Sequence, residues 1–383
     1  MKQIYLDHAA ATPVREEVLA VMKPFFSQEF ANPNSIHAAG RKARDAVESA
    51  RESVRKIIRA EKPSEIIFTG SGTESINLAI KGIMRAYHKK GNHIITTKIE
   101  HKAVLETCRY LQKHGGCRVT YLNVDREGKV NPRDVEKATS KKTVLITVMS
   151  ANNEIGTIQP IAEIAALARK HKVLFHSDAC QAAGALDLNV QRLGVDLLTL
   201  NGSKIYGPKG VGLLYVRTGV RLVPLFHGGG QEFGLRSGTE NVPGIVGFAA
   251  ALEWAEKERI KEAKRLRSFR DHFIERILKE VPQSRSNGHP VQRLPNNVNI
   301  SFAGVDAEVL VKTLSAEGIY VSAGSACTAN SVVVSRVLKA IGVPQEFAFG
   351  TIRFSLGKKT TKKELDTVLA ALQKNIEIIR KTA

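Results

Sequence analysis

The length, composition and charge of the chain indicate an ordinary globular protein. Its 383 residues are 43% hydrophobic and 25% charged, which is typical of a soluble protein with one large domain and a smaller one. No apolar run approaches the roughly 18 residues that a membrane helix needs, which excludes a membrane-spanning protein of the helical kind. The first residues carry no apolar signal region, so a cytoplasmic location is expected.

Basic residues exceed acidic ones, with 57 Lys and Arg against 37 Asp and Glu, and the formal net charge is +20. Such a charge favours acidic partners or nucleic acid. However, the basic residues are spread over predicted helices, and no RNA-binding aromatic motif lies among them. A generally basic surface is the favoured interpretation, and a weak contact with tRNA or an acidic protein is the alternative.

The four cysteines form no CxxC pair, so the sequence predicts neither a metal site nor a disulfide framework. Cys108, Cys117 and Cys180 lie in apolar or strand-like surroundings, where a cysteine is usually a small core residue. Cys327 is different, because small residues flank it on both sides. That setting suits a reactive thiol better than a core position.

The hydrophobic pattern predicts an extended arm at residues 1–14, helical patterns over 15–60, and then an alternation of strands and helices. The predicted strands are 65–69, 93–97, 118–124, 143–149, 173–177, 196–200 and 211–216. Helices between them are predicted at 76–87, from Lys102, from Pro132 and at 161–171. This alternation specifies a mostly parallel sheet with helices on both faces.

The character of the sequence changes after Gly228, Gly229 and Gly230. Residues 242–281 are predicted to be largely helical and are highly charged. A second, smaller α/β set follows, with strands at 297–302, 319–322 and 351–356 and helices at 306–317, 332–341 and 362–380. The sequence therefore predicts a large domain over 15–259 and a small domain formed by 260–383 together with the arm.

The most informative single residue is Lys204. It follows a short apolar strand and the residues Asn201-Gly202-Ser203, and Gly207-Pro208 then turns the chain. A partly buried lysine at such a strand end can supply the neutral amine that an aldehyde cofactor requires. Taken alone, an ordinary surface lysine is the favoured alternative, because the chain is rich in basic residues.

The other predicted strand ends decide between these alternatives. In open α/β sheets, ligands bind at the carboxyl ends of the strands. Each group there has a structural explanation, such as a helix cap, a turn or a structural histidine. Together they form the set that pyridoxal 5'-phosphate (PLP) needs: a phosphate site, an aromatic base, a carboxylate and an amine. The residues concerned are Gly72, Thr73, His101, Asn153, Asp178, Gln181, Asn201, Ser203 and Lys204.

At these motifs the chain resembles the PLP-dependent cysteine desulfurases of the NifS/IscS type, which are class V aminotransferases. The matching motifs lie at residues 5–13, 72–75, 100–102, 152–156, 178–181, 204–210, 236–239, 324–328 and 352–355. The resemblance implies the α/β fold of PLP fold-type I, with a mostly parallel seven-stranded sheet in the large domain and a smaller α/β domain.

The resemblance also implies a role for each cofactor-binding residue. Lys204 would bind the cofactor covalently, His101 would stack on its ring, and Asp178 would pair with the ring nitrogen. Gln181 would bind the phenolic oxygen. The phosphate would be held by Gly72, Thr73, Asn201 and Ser203, and by Thr239 of the other subunit, so that a homodimer is implied.

The implied activity is the conversion of L-cysteine to L-alanine. Arg353 and Asn153 would bind the substrate carboxylate, for which the planar fork of arginine is suited; a buried structural ion pair is the alternative for Arg353. The Cys327 thiolate would take the sulfur as a persulfide. The acceptor would be an iron–sulfur scaffold protein or a sulfur relay for tRNA thiolation.

Departures from the family pattern and alternative functions remain to be weighed. Asn201 and Ser203 replace the usual Ser and His before the cofactor lysine, and Cys180 stands where threonine is common. A selenocysteine lyase or another class V lyase is the alternative enzyme. A non-enzymatic basic scaffold is disfavoured, because the complete set of reactive residues is present.

Overall fold

The computed structural model describes residues 3–324 and 334–382. A short strand and three helices come first: β1 (Ile4–Tyr5), α1 (Glu16–Met22), α2 (Pro24–Ser27) and α3 (Ala38–Ile58). Strand β1 does not join the central sheet. It pairs in parallel with residues 319–320 near the other end of the chain, so the predicted arm packs on the C-terminal part.

Strands and helices then alternate as predicted. They are β2 (Ile66–Thr69), α4 (Gly72–Ala86), β3 (His93–Thr97), α5 (Lys102–His114), β4 (Arg118–Leu122), α6 (Pro132–Ala138), β5 (Thr143–Thr147), α7 (Ile161–Lys170), β6 (Leu174–Asp178), α8 (Val190–Leu193), β7 (Leu197–Asn201) and β8 (Gly212–Val216). Residues 202–204 form a single 3₁₀ turn between β7 and β8.

Strands β2 to β8 form one seven-stranded sheet in the order β2-β8-β7-β6-β5-β3-β4. The neighbours from β7 to β4 are parallel, whereas β8 runs antiparallel to both β7 and β2. Every residue of β3, β5 and β8 is buried, as expected for a sheet with helices on both faces. The predicted fold class is confirmed.

A helix of 39 residues, α9 (Val242–Glu280), connects this sheet to the C-terminal part. Asn241 caps it by accepting a hydrogen bond from the N–H of Gly244. The remaining elements are β9 (Ser284–Ser286), β10 (Asn297–Phe302), α10 (Ala307–Ala316), β11 (Ile319–Tyr320), β12 (Ser322–Ala323), α11 (Arg336–Ala340), α12 (Gln345–Ala348), β13 (Thr351–Ser355) and α13 (Lys362–Thr382). Strands β12, β13, β10 and β9 form an antiparallel sheet.

Helix α9 takes part in two separate hydrophobic cores. Its first half buries Phe248 among the residues that cover the central sheet. Its second half buries Phe273 among residues of the small sheet, and the arm residues Ile4 and Leu6 belong to this second core. We propose the domain division predicted from the sequence on this basis, with the boundary near residue 260 lying inside a continuous helix.

Several predicted boundaries differ from the observed ones for local reasons. Helix α4 begins at Gly72, four residues before the predicted start, because Ser71 accepts a hydrogen bond from the N–H of Glu74 and caps it there. The predicted strand 319–322 is divided between β11 and β12, which pair with different partners. Part of the predicted helix 332–341 lies outside the described residues. None of the described helices is both long and apolar enough to span a membrane.

Candidate active site

A cavity of about 280 Å³ lies at the carboxyl ends of β6 and β7, against the start of α4. It brings together most of the side chains that the sequence predicts to be functional: Gly72, Thr73, His101, Asn153, Asp178, Gln181, Asn201, Lys204 and Arg353. Cys327 lies outside the described residues. The remaining lining comes from apolar residues and from the arm, which contributes Ala9 and Ala10.

Lys204 enters this cavity from the 3₁₀ turn after β7. The turn is tight, because a Cβ atom on Gly202 would lie 2.7 Å from the carbonyl oxygen of Pro208. The half-buried ammonium of Lys204 donates a hydrogen bond to the carbonyl oxygen of Ala10. The arm therefore holds the lysine head at the edge of the cavity.

Asp178 is a buried carboxylate, 6% exposed, at the last position of β6. Its Oδ1 accepts a hydrogen bond from the N–H of Cys180 at 3.0 Å, and it forms no ion pair with any residue in the described ranges. An unneutralised buried carboxylate is costly. A protonated pyridine nitrogen in the cavity would supply the missing cation, so this residue fits PLP.

The start of α4 provides an anion site on the same cavity. The helix has 15 residues, and its first N–H groups, at Gly72 and Thr73, have no partner within the helix. The side-chain amide of Asn201 lies beside Gly72, and its Nδ2 donates no hydrogen bond to the described protein. These donors fit a phosphate group.

Gly72 itself is required by close packing. A Cβ atom there would lie 2.8 Å from the Sγ of Cys180. Cys180 thus lines the phosphate end of the cavity, although its sequence context predicts a core residue. The period-two pattern of β6 does not extend to the turn after Asp178, so the pattern could not show which way this side chain points.

His101 caps helix α5, and its Nδ1 accepts a hydrogen bond from the N–H of Ala103 at 3.1 Å. The neutral ring therefore carries its proton on Nε2. This contact orients an imidazole that lines the cavity near Asp178. The ring lines the same cavity as Lys204 and Asp178, and its role in stacking and proton transfer stays a prediction.

Glu100, the residue before His101, is a buried carboxyl group that the sequence analysis did not single out. It accepts hydrogen bonds from the hydroxyl of Thr97 at 2.7 Å and from the N–H of Met149 at 3.0 Å. Burial raises the pKa of Glu100 to about 8. The group links the end of β3 to the residues after β5.

Glu100 is expected to make the stability of the protein depend on pH. Its pKa is raised in the folded state, so its contribution to stability is fully present below about pH 4.5 and is lost as the pH rises through about 8. Glu100→Gln removes the charge and keeps the shape. We compare the free energy of unfolding of the variant with that of the parent at each pH. The difference, variant minus parent, should be larger at pH 8 than at pH 5 by a few kcal/mol, on the order of the pKa shift.

Chemical denaturation of both proteins at the two pH values measures this difference, and subtraction cancels the titration of all other groups. Thr97→Val is the matched control, because it removes one hydrogen bond to the carboxyl group without removing the group itself. A parent–variant difference that is the same at pH 5 and pH 8 would contradict the prediction for Glu100.

Arg353 is 2% exposed and has two partners around the cavity. Its Nη2 pairs with Asp7 at 2.7 Å, and its Nη1 donates to the carbonyl oxygen of Asn153 at 3.0 Å. Its Nε is buried and has no partner within the described structure. The structural ion pair considered from the sequence is therefore present, and Arg353 lines the cavity as well.

Of the three remaining predicted site residues, one lines the cavity and two do not. Gln181 lines the cavity, and its Nε2 donates to the carbonyl oxygen of Ala9 at 2.9 Å. The hydroxyl of Ser203 lies 3.3 Å from Oδ1 of Asn201 and does not line the cavity. Thr239 is exposed on the segment before α9, away from the cavity of its own chain.

Ser203→His is expected to tighten cofactor binding about fivefold, because an imidazole at this position adds one hydrogen bond to the phosphate, worth ~1 kcal/mol. Fluorescence titration of the cofactor-free protein with PLP measures the dissociation constant. Ser203→Ala is the control and should not tighten binding. An unchanged or larger dissociation constant for Ser203→His would show that Asn201 already satisfies the phosphate.

The described cysteines are held in the thiol form. Burial raises the pKa of Cys108 to about 12 and also raises the pKa values of Cys117 and Cys180. Asp178 adds to the effect at Cys180, because a neighbouring negative charge disfavours the thiolate. These three residues are poor nucleophiles, as the sequence predicts.

Comparison with known proteins identifies the family. The model of the class-V aminotransferase family matches residues 4–368. The chain belongs to this family. The prediction made from the sequence motifs is therefore confirmed, and with it PLP as the cofactor of the family.

Full-length relatives in this family include two called cysteine desulfurase IscS. The one from Dictyoglomus turgidum is 52% identical, over 99% of this chain and 96% of the relative. The one from Methanosarcina thermophila is 47% identical, over 99% of this chain and 93% of the relative. The chain thus spans nearly the whole length of both.

Solved structures give the same fold. A NifS-like protein, 40% identical, superposes with a TM-score of 0.93 over 98% of this chain and all of that chain. SspA in complex with cysteine, also 40% identical, gives a TM-score of 0.81 over 93% of this chain and 99% of that chain. The fold-type I architecture expected from the motifs is confirmed.

Proposed function

We propose that this protein is a PLP-dependent cysteine desulfurase, which converts L-cysteine to L-alanine and carries the sulfur as a persulfide on Cys327. The observation that carries the proposal is the shared cavity, in which the buried carboxylate of Asp178 and the amine of Lys204 lie with the anion site at the start of α4. The relatives called cysteine desulfurase support the same activity.

The residues around the cavity have the chemistry to hold PLP. Lys204 would bond to its aldehyde carbon, Asp178 would pair with its ring nitrogen, and the donors at Gly72, Thr73 and Asn201 would bind its phosphate. When bound, PLP supplies an electron sink that stabilises negative charge on carbon atoms of an amino acid. Asp178 strengthens this effect by keeping a proton on the ring nitrogen.

The substrate would be held by Arg353 and Asn153. The Arg353 guanidinium lines the cavity and can form a charge-assisted bond to a carboxylate, and Asp7 fixes the orientation of that guanidinium. In its neutral form, the amine of Lys204 can take a proton from the α carbon, and the Nε2–H of His101 can donate a hydrogen bond into the cavity. SspA, similar in sequence and fold, has been solved with cysteine bound, which supports cysteine as the substrate.

Sulfur abstraction requires a nucleophile, and we assign this role to Cys327. The carbon–sulfur bond of cysteine breaks and a sulfur–sulfur bond to Cys327 forms. The carbon takes up a proton, so that it is reduced while the sulfur is oxidised. Alanine leaves, and the persulfide is the product that a scaffold protein for iron–sulfur clusters or a sulfur relay for tRNA would accept.

We further propose that the active protein is a homodimer in which Thr239 reaches the phosphate site of the partner subunit. Thr239 does not line the cavity of its own chain. Large apolar side chains are exposed both near α2 and on the segment before α9, which supports a buried interface there. They are Phe26, Phe30, Ile36, Phe226 and Phe233.

The test is an assay of the purified protein loaded with PLP. With L-cysteine and a thiol reductant, it should release alanine and sulfide in equal amounts, and without the reductant a persulfide should accumulate and be visible by mass spectrometry. Selenocysteine, assayed in parallel, tests the alternative lyase. Failure to form alanine from L-cysteine would contradict the proposed function.

A further inference from the structure

Glu154 is a buried carboxyl group next to the proposed substrate residue Asn153. Its side chain is 7% exposed. Its backbone is fixed from both sides, since its N–H donates to Oδ1 of Asn152 at 2.9 Å and its carbonyl oxygen accepts from the amides of Asn297 and Asn299. The position of this side chain is therefore determined by the sheet and by β10 together.

The Glu154 carboxylate contacts the described chain that follows residues 325–333. Its Oε2 accepts a hydrogen bond from the hydroxyl of Ser335 at 2.5 Å. On the other side, a Cβ atom on Gly324 would lie 3.8 Å from the same Oε2 and 3.8 Å from Cβ of Ser335. Gly324 thus lies near the same oxygen, but the hydrogen bond is made by Ser335.

Helix α11, which Ser335 caps, is held firmly to the same region. Its buried residues Val337 and Leu338 pack in one apolar cluster with Ile155, which follows Glu154, and with Ile99, which precedes Glu100. The start of α11 therefore has a fixed place relative to the loop that carries Asn153.

The buried surroundings of the Glu154 carboxyl group favour a hydrogen bond to it over an isolated negative charge. Burial raises the pKa of Glu154, and the Ser335 hydroxyl and the positive charges of Arg353 and Arg336 oppose the rise. Ser335 is the only side-chain donor to Glu154 among the described residues, and a buried carboxyl group that loses such a donor is left poorly satisfied. The Ser335 hydroxyl is therefore a partner that Glu154 retains.

We propose that Glu154 is a positioning residue for sulfur abstraction: through Ser335 it fixes the start of α11, which follows Cys327 in the chain, relative to the site that binds the substrate carboxylate. The inference rests on the proposed function. It assigns to Glu154 no contact with substrate or cofactor. Its effect is exerted on the geometry between the bound cysteine and the residue that takes its sulfur.

The test separates substrate binding from sulfur abstraction in the holoenzyme. Ser335→Ala removes the hydroxyl that donates a hydrogen bond to Glu154. We expect persulfide formation to slow roughly tenfold, which is the effect of one charge-assisted hydrogen bond. Mass spectrometry after rapid quenching measures the rate. The cysteine concentration that gives half of the spectral change should stay the same. Ser335→Thr keeps the hydroxyl and should restore the parent rate.

Two further variants complete the design. Glu154→Ala combined with Ser335→Ala should slow the reaction less than the product of the two single effects, because both single changes remove the hydrogen bond between these side chains. Thr218→Ala is the matched control, since it removes a similar hydroxyl–carboxylate bond, from Thr218 to the buried Glu65 at 2.8 Å, far from the cavity. It should leave the rate of persulfide formation unchanged.

Persulfide formation at the parent rate in Ser335→Ala would overturn the inference. So would a rate loss in Ser335→Ala that is fully explained by weaker cysteine binding, because this would place the effect at Asn153 or Arg353. If the parent protein itself forms no alanine, the proposed function fails instead, and the two failures are thus distinguished.

Discussion

Replacing Cys327 with alanine is expected to lower alanine formation from L-cysteine roughly a thousandfold or more, as removal of a catalytic nucleophile typically does. The cofactor and Lys204 can still engage the amino group of the substrate, so the visible spectrum should still change when cysteine is added. No persulfide should form. Single-turnover alanine assays combined with mass spectrometry of the protein measure both outcomes.

The other cysteines provide matched controls for this prediction. Cys108→Ala and Cys117→Ala should keep the parent rate of alanine formation, because both thiols are remote from the cavity and have raised pKa values. Both variants should have a lower free energy of unfolding than the parent. Alanine release by Cys327→Ala at the parent rate would mean that another group accepts the sulfur.

Replacing Lys204 with alanine is expected to remove both the visible absorption band of the covalently bound cofactor and turnover. The rate loss should again be roughly a thousandfold or more, because Lys204 is proposed both to bind the cofactor and to move the α proton. Absorption spectra of the purified variant, with and without added PLP, measure the first effect, and alanine assays measure the second.

The matched control is Lys209→Ala, which changes a lysine of the same motif. Lys209 is exposed and does not line the cavity, so its replacement should leave the absorption band in place. A Lys204→Ala protein that keeps a lysine-bonded cofactor and the parent rate would show that a different amine holds PLP.

Much of the fold could be predicted from the sequence where a hydrophobic run ends in a sharp polar signal. The strands at His93–Thr97 and Asn297–Phe302 begin and end where predicted. The carboxyl-edge argument also places the cavity correctly, because parallel strands deliver the residues that follow them to one edge of a sheet. These inferences depend only on local patterns and one topological rule.

The features that the sequence could not show depend on contacts between distant residues. The bond from Ser335 to Glu154 joins positions 181 residues apart, and the pair of Arg353 with Asp7 joins positions 346 apart. Helix α9 continues without a break through the predicted domain boundary near residue 260. The apolar residues of its first half pack in one core, and those of its second half pack in another. Local periodicity contains no information on any of these pairings.

The position of the N-terminal arm has a consequence for how the protein is made. The arm supplies Ala10 to Lys204 and Asp7 to Arg353, and it is itself held by β11. The arm must therefore wait until residues 319–320 and 353 have been synthesised before it finds its partners, while the central sheet can already assemble from earlier parts of the chain. The residues proposed to hold PLP come mostly from the central sheet, so the part of the cavity that is completed last is the substrate end, where Arg353 lies.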